Sequence, residues 1–153
     1  MNPMKLAAML DDAIGLEEKI QACYRALSRL TGDGISAELK ALAQEEKSHI
    51  SVLRTGKNFI FRTPEVFGRE AISDVEIRTG LKAAGDLEAD LEASRVGFVD
   101  GARRLSELER KFEKVHFNTS VEIHDFSLKK LFEALARADA EHRQRLDRLL
   151  AGL

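Results

Sequence analysis

The stretch Ala41-Leu42-Ala43-Gln44-Glu45-Glu46-Lys47-Ser48-His49-Ile50 decides the reading of the chain. It carries a Glu-x-x-His step, Glu46 to His49, inside an amphipathic helical pattern. Residues three and four apart share one face of a helix. The apolar stripe runs Leu39, Leu42, Glu46, His49, Leu53, which sets a carboxylate and an imidazole on the buried line. Such groups are costly on a core face unless they find partners or a metal. The pattern then returns: Leu128, Phe132, Leu135, Asp139, His142, Leu146 carries Asp139-x-x-His142 on its own stripe. A lone Glu-x-x-His is usually an accident of surface charge. Its repetition on a second core stripe gives it weight.

Around these two motifs the chain reads as all-α. It has 153 residues, enough for a single domain over 1–153 with a sizeable core. Two prolines and ten glycines, with few β-branched runs, argue against strands. Asn2-Pro3 reads as an N-cap with proline at the first helical position. Leu6, Leu10, Ala13, Leu16, Ile20, Cys23, Leu27 and Leu30 then recur helically up to Thr31-Gly32-Asp33-Gly34, a two-glycine turn. A second helix is expected over Ile35 to Arg54, antiparallel to the first. Residues 55–72 interrupt the pattern yet hold Phe59, Ile60, Phe61, Val66 and Phe67, so they read as a crossover lying along a bundle. Ser73-x-x-Glu76 is a capping box for a third helix whose character persists to Phe112. Asn118-Thr119-Ser120 reads as a break, with Thr119-x-x-Glu122 as a second capping box and a last helix ending near Gly152. The expected architecture is a four-helix bundle, two antiparallel hairpins joined by a long crossover.

Composition narrows the partners. A net charge of -2 offers no electrostatic case for nucleic acid or an anionic membrane. No apolar run approaches the roughly 20 residues of a spanning helix. Early Asp11-Asp12 and the absence of an apolar h-region argue against a signal peptide. The lone Cys23 leaves no intramolecular disulfide and no Cys-x-x-Cys site, so the expectation is a cytoplasmic protein.

If the two acid-x-x-His pairs face each other, they bring two carboxylates and two imidazoles, a short allotment for two metals. The other helices should then each add an inward acid. Glu17 lies four after Ala13 and three before Ile20, while Glu18 wheels toward water. Glu88 lies four after Ala84 and three before Leu91. The candidate set is Glu17, Glu46, His49, Glu88, Asp139 and His142. Four buried carboxylates without counter-charge would be ruinous, and two divalent cations cancel them. Mixed oxygen and imidazole donors suit iron or manganese. His116 and His124 fall outside the pattern and read as surface or capping histidines, with an auxiliary site as the alternative. Cys23 reads as a small core residue.

One Glu from each of two helices plus Glu-x-x-His from each of the other two is the ligand plan of ferritin-like di-metal carboxylate bundles. Leu16-Glu17 to Tyr24, together with Leu42-Ala43-Gln44-Glu45-Glu46-Lys47-Ser48-His49, most resembles the rubrerythrin branch. The resemblance implies a ferritin-like fold, two non-haem iron ions and redox chemistry with peroxide or dioxygen. It also implies that Tyr24, seven residues after Glu17 and the sole tyrosine, hydrogen-bonds within the site. In that scheme Glu46 or Glu88 bridges, His49 and His142 each take one metal, and Glu17 and Asp139 are terminal. The chain lacks the cysteine-built rubredoxin-like module of rubrerythrins proper, so electrons would come from an external donor protein. Gly85 and Leu91 stand where a second third-helix acid often lies, and Asp139 replaces the usual Glu. Arg95, seven after Glu88, either pairs with that acid or snorkels to water, and snorkelling is favoured because two helical turns separate them.

The expected function is a di-iron, alternatively di-manganese, oxidoreductase that reduces peroxide or dioxygen, working as a homodimer. Two further readings compete: iron binding, ferroxidase or storage activity without redox turnover, and a non-metal helical scaffold.

Overall fold

A computed structural model describes residues 3–67 and 74–152. Among these the chain forms five long helices: α1 (Pro3–Ser28), α2 (Asp33–Arg62), α3 (Asp74–Glu92), α4 (Phe98–Val121) and α5 (Phe126–Ala151), with a short 3-10 turn at Pro64–Val66. No strand occurs among the described residues, only an isolated bridge between Phe67 and Ile123. The expected caps at Asn2 and Ser73 lie outside the described residues. Among those residues no helix is long and apolar enough to cross a membrane.

The two motif-bearing stripes are buried as their periodicity requires. Leu39, Leu42, Glu46, His49 and Leu53 line the inner face of α2, and Leu128, Phe132, Leu135, Asp139, His142 and Leu146 line that of α5. α1 packs along α2, where Gln21 donates to the Ala43 carbonyl at 3.1 Å. α4 packs along α5, where the Ser106 hydroxyl donates to Asp147 at 2.6 Å. Arg145 then joins α5 to α2 through Glu38 and Glu45, at 2.7 and 2.8 Å.

Three boundaries differ from expectation, each for a local reason. α2 continues through Thr55-Gly56-Lys57-Asn58 to Arg62, so the crossover begins only at Thr63. Gly56 does not break the helix: a Cβ there would lie 3.1 Å from the Phe132 ring, so glycine lets α5 approach closely. The α4–α5 turn falls at residues 122–125 rather than at Asn118-Thr119-Ser120, and α5 is capped by Asp125, which accepts from the Leu128 N–H at 2.9 Å.

The third correction is the largest. The single third helix expected through Phe112 is two helices, α3 and α4. Ser94 adopts φ 57°, the left-handed conformation that closes a helix end. The Arg95 N–H returns to Asp90 O at 2.8 Å and the Ser94 N–H to Leu91 O at 3.2 Å, the paired bonds of a Schellman cap. Gly97 then starts α4 in an extended conformation. α3 folds back against α1, with Cys23 Sγ donating to the Ala84 carbonyl at 3.6 Å. This burial pushes the Cys23 thiol up to about 12, consistent with a core role.

Candidate metal centre

α1, α2, α4 and α5 converge on a buried cluster of acids and histidines. Glu17 comes from α1, Glu46 and His49 from α2, Glu109 and His116 from α4, and Asp139 and His142 from α5; all seven are buried. Each sits on an apolar stripe of its own helix. Leu105, Leu108, Phe112 and Val115 are the buried neighbours that carry Glu109 inward.

Glu46 spans the cluster. Its Oε2 lies 3.0 Å from His49 Nδ1, and its Oε1 lies 3.0 Å from His142 Nδ1. The two imidazoles stack, with centroids 4.9 Å apart and planes inclined by 15°. Around His49 Nδ1 gather Asp139 Oδ1 at 3.4 Å and Glu17 Oε2 at 3.6 Å. Glu109 Oε1 lies 3.9 Å from His142 Nδ1 and accepts the Tyr24 hydroxyl at 3.0 Å. His116 meets Asp139 Oδ2 through Nδ1 and faces Glu17 Oε1 at 3.6 Å through Nε2.

The residues fit a metal. Two overlapping groups, Glu46–His49–His142 and Glu17–His49–Asp139, each bring three ligand atoms within 4.8 Å of one another. Among the described residues, both Glu17 oxygens, Glu46 Oε2, His49 Nδ1, Glu109 Oε2 and Asp139 Oδ1 are buried with no hydrogen-bond partner. Buried polar atoms in folded proteins are nearly always satisfied. Unsatisfied polar atoms concentrated in one cluster, most of them carboxylate oxygens, mark a place where a cation can complete the set.

The electrostatics of the metal-free cluster agree. Burial alone would push Glu17 up, but contact with His49 and the other cluster groups brings it down to about 2. Burial and the facing Glu17 and Glu109 charges drive Glu46 far above the ordinary carboxylate range. Burial also lifts Asp139, to about 7, against the pull of His116. Desolvation opposes protonation of His49, yet Glu17 and Glu46 outweigh it and hold the ring up to about 11. Without a metal, protons must do the work of cations here.

Five of the six candidate ligands meet in the cluster: Glu17, Glu46, His49, Asp139 and His142. Glu88 does not. It lies on α3, outside the cluster, and pairs with Lys19 at 2.8 Å with a quarter of its side chain exposed. Its place is taken by Glu109. His116, expected at the surface, is instead buried in the site, whereas His124 is exposed and donates its backbone N–H to Val66 O at 2.6 Å. Arg95 does not reach Glu88; it pairs with Asp90 at 2.9 Å and remains 60% exposed. Ser106 and Phe112 stand three residues either side of Glu109, so α4 has no second acid there either. Spacing could have revealed both missed residues, since Glu109 and His116 are seven apart, as Glu17 and Tyr24 are.

No protein-family model, curated protein or solved structure matches the chain.

Proposed function

We propose that this chain is a ferritin-like, rubrerythrin-related di-metal oxidoreductase. In this reading it uses two iron ions, or manganese, to reduce peroxide or dioxygen with electrons from an external donor protein. The observation that carries the reading is Glu46, which gives one oxygen to each of two stacked histidines from different helices. Glu17 and Asp139 flank one histidine and Glu109 the other, so each half of the cluster has a carboxylate–imidazole set of its own.

Two such ions, when bound, would supply one electron each to a peroxide, which would take up two protons and leave as two waters, the external donor restoring the electrons. The chain's own part is to bind and orient those ions, exclude water and hold protons. Glu17, His49 and Asp139 would hold one ion, and Glu109 and His142 the other, with Glu46 between them. Tyr24 fixes Glu109 and keeps its own proton, because burial and the acids around it push the phenol well above its usual range. It is placed to orient rather than to ionise.

The test is metal analysis of protein purified without chelator, followed by peroxide consumption with an added reductant. Near two metals per chain and repeated turnover are expected. Metal uptake with a single burst would instead indicate iron binding without turnover, and an inability to bind metal would leave only a helical scaffold.

A further inference from the structure

The cluster has an approximate two-fold logic that fails at one residue. Glu17 on α1 matches Glu109 on α4, Glu46 and His49 on α2 match Asp139 and His142 on α5, and Tyr24 matches His116 in spacing. Tyr24 gives one hydrogen bond to one acid, Glu109, whose other oxygen is left unsatisfied. His116 has two nitrogens and meets two acids, Asp139 through Nδ1 and Glu17 through Nε2.

The division of oxygens is consistent across both acids. Glu17 offers Oε2 to His49 and Oε1 to His116, both at 3.6 Å. Asp139 offers Oδ1 to His49 at 3.4 Å and Oδ2 to His116. Asp139 is one methylene shorter than Glu46, and where Glu46 spans both stacked histidines Asp139 spans His49 and His116. We propose that His116 is a positioning residue that hydrogen-bonds the outer oxygen of Asp139 and, from 3.6 Å, orients the outer oxygen of Glu17 by charge. Each acid then presents one fixed oxygen beside His49, and the cluster binds two cations unequally, the His49 side first.

Preorganisation gives the sign. Partners that orient ligands are typically worth 10- to 100-fold in metal affinity. On the His49 side a buried imidazole hydrogen-bonds Asp139 and faces Glu17 at 3.6 Å, while Glu109 on the His142 side is held by one hydroxyl. The inference rests on the metal-binding part of the function proposed above and not on turnover.

The experiment is a Mn(II) titration of wild type, His116→Leu and His116→Gln, followed by calorimetry, with metal-free thermal melts as a folding control. Wild type should bind two ions in separable steps. His116→Leu should weaken the tighter step about 10- to 100-fold and leave the weaker one within about threefold. His116→Gln keeps an N–H near the Nε2 position, on the Glu17 side, and loses the Nδ1 contact with Asp139, so its loss should be intermediate. One equivalent of Cu(II), read by nitrogen hyperfine structure in its paramagnetic resonance spectrum, separates positioning from ligation. The pattern should be the same in wild type and His116→Gln, and this comparison decides the matter even if His116→Leu does not fold. Equal constants in wild type, parallel weakening of both steps, no effect of His116→Leu, or loss of a coupled nitrogen in His116→Gln would each overturn the proposal. If wild type binds no Mn(II), Fe(II) or Cu(II), the proposed function falls with it; if two ions bind and His116 is indifferent, the positioning role falls alone.

Discussion

Tyr24 on α1 donates its hydroxyl to Glu109 on α4 across 3.0 Å, and both side chains are fully buried. The bond joins the first hairpin to the last at the level of the cluster. Removing only the hydroxyl would leave Glu109 without its hydrogen bond at almost unchanged volume. Tyr24→Phe should therefore cost about 1–3 kcal/mol in the metal-free protein. Urea unfolding in the presence of chelator measures it, and an unchanged midpoint would count against a structural role for the bond.

Metal should stabilise the fold. Binding to the folded state alone adds RT ln(1 + [L]/Kd), about 2.7 kcal/mol at a hundredfold excess over Kd. Chelation should lower the melting temperature of wild type, and His49→Ala should remove most of that difference. Identical melts with iron, manganese and chelator would exclude a functioning site.

Glu109 and Glu88 give opposite expectations. Glu109→Ala should lower the metal content per chain, because it removes an acid beside His142. Glu88→Ala should leave that content unchanged and cost no more than about 1 kcal/mol, the usual worth of an exposed ion pair such as its contact with Lys19. Arg95→Leu should likewise leave stoichiometry untouched, as its partner is Asp90. Metal-to-protein ratios under identical loading compare all three.

The acids also predict a pH dependence. Burial, opposed by His116, raises Asp139 from 3.8 to about 7 in the metal-free fold. A folded value above the unfolded one favours folding while the group is protonated, below about pH 4. The benefit disappears as pH rises to about 7, and the ionised group then weighs against folding by up to about 4 kcal/mol. Metal-free Asp139→Asn should thus be more stable than wild type at pH 8, with the gap narrowing toward pH 5. Denaturant midpoints at the two values test this, and a variant less stable at pH 8 would refute it.

Gly80 tests the packing of α3 on α4. A Cβ there would lie 2.1 Å from Phe112 Cζ. Overpacking costs about 1–3 kcal/mol, and alanine's helical preference returns about 1. Gly80→Ala should be destabilised in melting experiments, and Phe112→Leu on that background should recover part of the loss.

α2 and α5 were legible in the sequence because an acid and a histidine interrupt otherwise unbroken apolar stripes. α1 was legible for the same reason, Glu17 standing between Ala13 and Ile20. The α3–α4 break was not. Its Schellman cap places Ser94, not glycine, in the left-handed position, and the helical stripe carries on past it from Leu91 to Ala102. The inward acid stands on α4, as Glu109, and not on α3, where Glu88 pairs with Lys19. Chain distance held the remedy: Glu17 precedes Glu46 by 29 positions and Glu109 precedes Asp139 by 30, whereas Glu88 lies 51 before it. His116 was hidden differently. A histidine on a helix face shows no preference between water and core until the acids opposite it are known.

The span of Glu46 has a kinetic meaning. It and His142 are 96 positions apart in the chain, so a cation shared by these residues is a cross-link between distant hairpins. Unlike a disulfide, such a link does not shorten the unfolded chain, because it forms only after the hairpins have met. Interactions that form late in folding act mainly by slowing unfolding. The residence time of the ion, rather than the speed of folding, would then govern how long the two halves stay together.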